Sequence, residues 1–317
     1  MAHPTISYIL LTYNQSVTVA EAVQSVLAQT GTPLEIVITD DASVDDTFAV
    51  VEAVVADYTG PHTVILNRNA QNLGLSGNIE KAHELSTGDV LIAAAGDDIS
   101  LPHRATRIAE AFATDAPPLL LCSHAYFIGP DGAELSGKLH IAALYDTTDL
   151  TKIARSKALY IGATGAWHRS LYDSYGPIEA DAYEDLVMGF RAALEGRVCV
   201  LPERLVKYRL RFGITPDDYY DMGLAKFTAR RAYSYTVNAA VMRQRIKDAL
   251  KFGLTQDNAV LKVLRVEAKK AALGQAYYSG GFRQAALRQP LLAMLILRAE
   301  RRQMRKFRRA AQTAKQG

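Results

Sequence analysis

The sequence predicts an α/β fold, with a Rossmann-like sheet flanked by helices over residues 1–216 and a helical C-terminal region over residues 217–317. Three observations point there. Short apolar runs alternate with segments of helical period through roughly the first hundred residues, with only short links between them. Several of those runs end in acidic turns. From residue 217 onward the composition is almost entirely helix-forming.

Ile6–Thr12 is an apolar run of strand length. Ala20, Val23, Val26 and Leu27 then share one helical face, with Thr18 and Glu21 spaced as a capping box. A second strand over 34–39 ends in Asp40-Asp41-Ala42-Ser43, a second helix covers 45–58, and a third strand covers 62–67. Asn72-Leu73-Gly74 marks a turn before a third helix over 76–85. Val90–Ala95 is an unbroken apolar run, too short for a typical helix, and reads as a buried strand. It ends in Gly96-Asp97-Asp98, after which Ser100 is expected to cap a helix with Pro102 in its first turn. Such alternation implies parallel strands joined by right-handed crossovers. Regularity then weakens. A strand over 119–128 precedes a Pro130-Asp131-Gly132 turn, and a small-residue segment covers 162–167. A helix over Glu184–Leu194 and strands over 197–201 and 205–210 follow. The helical remainder has one expected break, at Gly280-Gly281, and Pro290 opens the last helix.

The chain is 49% hydrophobic and 22% charged, ordinary for a globular protein, and its 317 residues can bury a full core. A net charge of +3 is too small to imply nucleic acid as a partner. Cys122 and Cys199 each lie inside an apolar run, as buried thiols in a reducing compartment would, so neither a disulfide framework nor a zinc site is expected. The N-terminus lacks the basic start and small-residue cleavage site of a signal peptide. No apolar run reaches the roughly 18 residues of a membrane span. The expected location is the cytoplasm, or the cytoplasmic face of a membrane.

Three acidic clusters, Asp40-Asp41, Asp97-Asp98 and Glu184-Asp185, fall at strand ends or a helix start. Singly, each is explained by turn or capping chemistry. Together in one α/β domain they imply a crevice at the carboxyl ends of strands that holds a divalent cation and a polyphosphate. Mg²⁺ or Mn²⁺ suits such oxygen ligands, with Asp97-Asp98 as the metal pair. Neither GxxxxGK[ST] nor GxGxxG follows the first strand, so a P-loop and a dinucleotide fingerprint are not supported. Without a glycine cradle, metal and basic side chains must offset the phosphate charge.

The segments ISYILLTYNQ, EIVITDDASVDDT, NLGLSGN and GDVLIAAAGDD, in that order, followed by GATGAWHRSLYDSYGPI, YEDLVMGFRAALEG and LPERLVKYRL, resemble an inverting family 2 glycosyltransferase of GT-A fold. The resemblance covers residues 4–215. It implies that Thr12, Tyr13 and Asn14 line a nucleotide pocket and that Asp41 hydrogen-bonds a uracil or thymine edge, favouring a UDP- or dTDP-sugar. It further implies that Asp98 ligates Mn²⁺ or Mg²⁺ on the diphosphate, that Asp97 touches ribose or sugar, and that Asp185 is the general base with Glu184 beside it. Asn78 follows Ser76-Gly77 where the family usually has Ala-Arg, so the donor contact is either missing or supplied by Lys81. Arg211 stands where many members carry a His near the diphosphate; it cannot ligate metal but can pair with phosphate as a fixed cation. The QxxRW signature of processive synthases is absent, favouring transfer of a single sugar. Trp167, the only tryptophan, either stacks an acceptor sugar or packs in the core.

The last helix carries an apolar stretch over 291–297. From Arg298 to Arg309 it has seven basic residues against Glu300 alone. That composition fits an interfacial helix on the anionic inner leaflet of a membrane through residues 290–309, or a helix docked on its own domain or on a homodimer partner. The expected activity is transfer of one sugar from a nucleotide-diphospho-sugar to a saccharide or lipid-linked acceptor in surface polysaccharide or lipopolysaccharide assembly. The alternatives are a catalytically degenerate nucleotide-sugar-binding subunit of a synthase complex, or a sugar nucleotidyltransferase.

Overall fold

A computed structural model of the chain describes residues 4–135, 142–210 and 223–313. The first half alternates as the sequence predicts: β1 (Ile6–Thr12), α1 (Val19–Leu27), β2 (Glu35–Asp40), α2 (Thr47–Ala56), β3 (Thr63–Arg68), α3 (Gly74–Leu85) and β4 (Val90–Ala95). There follow β5 (Ile99–Ser100), α4 (Arg104–Phe112), β6 (Leu120–Ile128), α5 (Leu150–Arg155), β7 (Gly165–His168), α6 (Arg169–Tyr175), α7 (Glu184–Leu194) and β8 (Val198–Arg209). The C-terminal helices are α8 (Leu224–Lys251), α9 (Ala259–Ser279), α10 (Phe282–Arg288) and α11 (Pro290–Thr313).

Among the described residues the strands form one eight-stranded sheet in the order β3-β2-β1-β4-β7-β6-β8-β5. The four strands β3, β2, β1 and β4 are parallel, as the short strand–helix links require. The sheet becomes mixed where β7 runs antiparallel to both β4 and β6. The period-2 pattern sorts side chains to two faces. Tyr8, Leu10, Ile36, Ile38 and Ile92 pack under α1, α2 and α4, whereas Ile9, Val37, Leu91 and Ala93 pack under α3 and α7. That second cluster also contains Val241 and Met242 of α8 and Leu261 and Leu264 of α9, so the helical region and the sheet share a continuous core.

Several local expectations are corrected. Thr18 forms no side-chain cap: its hydroxyl donates to the Gly96 carbonyl at 2.9 Å, and Glu21 instead accepts from Arg209. Ser100 does not open a helix, because Ile99–Ser100 pairs with β8 and α4 begins at Arg104. The Ser100 hydroxyl bonds Tyr8 and the fully buried Arg104 instead. The strands expected over 197–201 and 205–210 are one strand, β8, whose pairing with β6 shifts register around His124. The helical region breaks a second time between α8 and α9, where Gly253 takes a left-handed φ of 100° and Asn258 caps α9. Both cysteines are free; Cys122 is buried and Cys199 partly so.

Candidate active site

A cleft of about 570 Å³ opens at the carboxyl ends of β1, β2 and β4. Its wall comprises Thr12 and Tyr13 after β1, Asp41 after β2, Asn78 of α3, Asp97 and Asp98 after β4, and Glu184 and Asp185 of α7. Residues separated by up to 198 positions in the chain, Leu11 to Arg209, therefore face one cavity.

The β2 turn divides labour between its two aspartates. Asp40 is buried and accepts from the Ser43 backbone N–H at 2.9 Å and from the Thr12 hydroxyl at 3.1 Å, holding the turn closed. This stabilises Ala42 at φ 57°, a left-handed conformation disfavoured for a side chain with Cβ. Asp41 lines the cleft, and its Oδ1 accepts from the Leu73 N–H at 2.8 Å and the Asn69 amide at 3.0 Å. Asn78 accepts from the Thr39 hydroxyl at 2.8 Å and from Asn69 at 2.9 Å, tying α3 to the same turn.

The β4 turn is held from three sides. Gln15 donates to Asp97 Oδ1 at 2.9 Å, the Arg209 backbone N–H donates to Asp98 Oδ1 at 2.7 Å, and the Arg209 guanidinium donates to the Asp97 carbonyl at 2.8 Å. Arg209 also reaches Glu21 of α1 and the carbonyls of Gly129 and Pro130. Gln15 and Arg209 line the cleft and were not singled out from the sequence. Their signal was present, since polar residues next to strand ends in an α/β sheet are expected to face ligand.

Glu184 and Asp185 occupy the first turn of α7, where the helix dipole favours negative charge. Both carboxyls are nevertheless pushed above the usual carboxylate range. Burial is the main cause for each, and for Asp185 the neighbouring Glu184 charge adds to it. Asp185 Oδ1 is buried without a hydrogen-bond partner among the described residues. Beneath the pair, Arg245 of α8 is fully buried. It donates twice to the Leu186 carbonyl, at 3.0 and 2.8 Å, and to those of Ala154 and Ser156 at 3.0 and 2.9 Å. Asp185 is the carboxylate whose charge acts on it. Gly162 lines the cleft directly beside the pair, and a Cβ there would collide with the Glu184 carboxylate. Tyr160, buried beside the acids, is held well above its ordinary pKa by burial and by both carboxylates.

Three expected contacts are not assembled at the cleft. Asn14 acts as a staple: in a left-handed conformation, its N–H donates to Ser43 Oγ and its side-chain oxygen accepts from Val44 N, both at 2.9 Å. Lys81 pairs with Glu84 on the surface of α3 and does not reach the cleft lining. Trp167 is fully buried because β7 is an interior strand flanked by Leu91 and Leu120. Its ring has no exposed face on which a sugar could stack, which corrects the acceptor-platform alternative in favour of core packing. Arg211 lies outside the described residues.

The donor chemistry at Asp97 and Asp98 fits a hard divalent cation that shares its coordination with phosphate oxygens. Among the described residues no three acidic, histidine or cysteine side chains gather to hold a metal alone.

Compared with known proteins, the family model described as "Glycosyl transferase family 2" matches residues 7–176. The putative glycosyltransferase EpsE of Bacillus subtilis is 35% identical over 101 residues, covering 32% of this chain and 36% of that protein. An uncharacterized glycosyltransferase of Nostoc sp. is 26% identical over 228 residues, covering 65% of this chain and 64% of its own. The chain thus covers less than two thirds of the length of either relative. Among solved structures, S. aureus TarS 1–349 in complex with UDP-GlcNAc aligns with a TM-score of 0.60 at 19% identity, covering 99% of this chain and 92% of that one. The mannosyltransferase PcManGT from Pyrobaculum calidifontis, in complex with GDP-Man and Mn²⁺, aligns at 0.55 with 18% identity, covering 98% and 84%. At these identities the likeness is one of fold.

Proposed function

The chain belongs to glycosyl transferase family 2 and has the GT-A fold, and from that premise we propose that it moves one sugar from a nucleotide-diphospho-sugar to a saccharide or lipid-linked acceptor, with inversion. The observation that carries this reading is the convergence of Asp41, Asp97-Asp98 and Glu184-Asp185 on one cleft. Neighbours of the same fold, bound to UDP-GlcNAc and to GDP-Man with Mn²⁺, support a nucleotide-sugar as the ligand.

Asp41 accepts a hydrogen bond from the imide N–H of uracil or thymine, which favours UDP- or dTDP-sugars. Tyr13, half-exposed at the rim, covers the base. Asp98, with Asp97 beside it, would hold Mn²⁺ or Mg²⁺; when bound, the ion neutralises charge on the leaving diphosphate. The acceptor hydroxyl lies against Asp185. Its oxygen forms a bond to the anomeric carbon as the bond from that carbon to the phosphate oxygen breaks. The hydroxyl proton passes to the Asp185 carboxylate, and the nucleoside diphosphate leaves with the bonding electron pair. Attack from the face opposite the leaving group inverts the centre. The raised proton affinity of Asp185 suits it to this task, since a base works best with a pKa near the operating pH. Surface polysaccharide or lipopolysaccharide assembly is the setting we assign to this transfer.

The test is a panel of nucleotide sugars assayed for nucleoside diphosphate release with Mn²⁺, Mg²⁺ or EDTA, on wild type and Asp98→Ala. Release from one donor that EDTA and Asp98→Ala both abolish supports the reading. Absence of release from every donor, together with absence of UDP binding by calorimetry, overturns it.

A further inference from the structure

Helix α11 presents two opposite faces of different chemistry. One is docked. Ala293, Ile296, Glu300 and Phe307 are buried, Phe307 stacks on Phe227 of α8 at 4.4 Å, and Glu300 accepts from Tyr235 at 2.7 Å and from Arg231 and Tyr278. The other face is open. With about 100° of rotation per residue, Leu291, Leu295, Arg298, Arg302, Arg305 and Lys306 fall within about 100° of arc, opposite the docked side. All six are exposed, Leu291 at 77%. Met294, also exposed, borders the apolar end. The stripe runs for about 22 Å at 1.5 Å per residue, leucines at one end and cations at the other. No helix among the described residues is long and apolar enough to cross a membrane.

We propose that this open face of α11 lies flat on an anionic lipid surface. Leu291 and Leu295 enter the boundary between headgroups and acyl chains, while Arg298, Arg302, Arg305 and Lys306 pair with lipid phosphates. Charge complementarity selects this occupant. RNA would need an exposed aromatic for base stacking, and Phe307, the aromatic within the basic run, is buried. A second copy placed across a two-fold axis would set these arginines against leucines or against one another. The surface is separate from the cleft residues, so the proposal stands or falls independently of the transfer reaction.

The experiment is co-sedimentation of the full chain with vesicles of phosphatidylcholine alone and with about 30% phosphatidylglycerol added. It uses wild type, Arg302→Gln/Arg305→Gln and Leu291→Ser/Leu295→Ser. Wild type should pellet with the anionic vesicles alone, and less as salt rises. The arginine pair should weaken partitioning about thirtyfold, since each basic residue near such a surface contributes about 1 kcal/mol. The leucine pair should weaken it at least about tenfold. Both variants should keep a melting temperature close to wild type, because the four substituted side chains are exposed. Equal pelleting with neutral vesicles, no pelleting, or binding indifferent to both variants overturns the proposal. So does a lipid-free dimer that the leucine substitutions dissociate, or RNA that displaces the vesicles.

Discussion

Asp248→Ala tests how firmly the helical region holds the helix that carries the acidic pair. Arg191 of α7 and Asp248 of α8 are both fully buried, and Nε meets Oδ2 at 2.8 Å. Gln244 donates to the other carboxylate oxygen at 2.8 Å, and Arg191 also donates to the Gly176 carbonyl at 2.9 Å. Removing the carboxylate leaves a buried guanidinium with a carbonyl and a thioether in place of its counter-charge. Breaking a buried pair from one side costs about 3–5 kcal/mol, a large share of a total stability of about 5–15 kcal/mol. With a urea dependence of about 3 kcal/mol per molar, the unfolding midpoint should fall by about 1–1.7 M. Trp167, the single tryptophan and fully buried, provides a fluorescence signal. Asp248→Asn keeps the shape and one acceptor and should lose less, about 1.5–3 kcal/mol. The double variant Arg191→Met/Asp248→Leu, which removes both charges and fills the space, should recover most of the loss. An Asp248→Ala midpoint within about 0.3 M of wild type, or a double variant no better than the single, would refute the argument that an uncompensated buried cation dominates.

Asp185→Asn should lower sugar transfer by about 10²–10⁴-fold while leaving UDP binding by calorimetry near wild type, since the base acts on the acceptor and not on the nucleotide. Because burial raises both acidic pKa values, and the Glu184 charge raises that of Asp185 further, transfer should decline as pH falls through a point above the ordinary carboxylate range. The direction follows from the chemistry: protonated Asp185 cannot take the acceptor's proton. Glu184→Gln removes the like charge and should move that acid limb to lower pH; a limb that stays in place would assign it to another group. Gly162→Ala should cost about 100-fold in kcat through a displaced Glu184 carboxylate. Its melting temperature should hardly change, because the colliding atom is the end of a flexible side chain. Equal losses of stability and activity would contradict that reading.

The parallel half of the sheet was legible because local pattern and tertiary role coincide there. Val90–Ala95 is apolar at every position and lies buried in the sheet, and its terminal Asp97-Asp98 lies in the cleft. Capping assignments failed where a tertiary partner outcompeted a local one. Thr18 and Ser100 both have the residue type of an N-cap, yet one hydroxyl serves a carbonyl 78 residues away and the other a tyrosine 92 residues away. Composition likewise could not separate the two faces of α11, since docking and exposure are decided by Phe227, Arg231 and Tyr235 on another helix.

The sequence by itself determined the strand and helix succession through β4, the acidic residues that end those strands, and the family resemblance, because each is written in a contiguous stretch of a few residues. Only the tertiary structure decided that β7 runs inside the sheet and closes Trp167 off from solvent, and that Gln15 and Arg209 clamp the Asp97-Asp98 turn. It also decided that Arg245 and Asp248 of α8 grip the helix bearing Glu184 and Asp185. Those outcomes depend on which segments meet. Hydrogen bonds and ion pairs between residues 57 to 111 positions apart leave no periodicity in the chain for a reader to find.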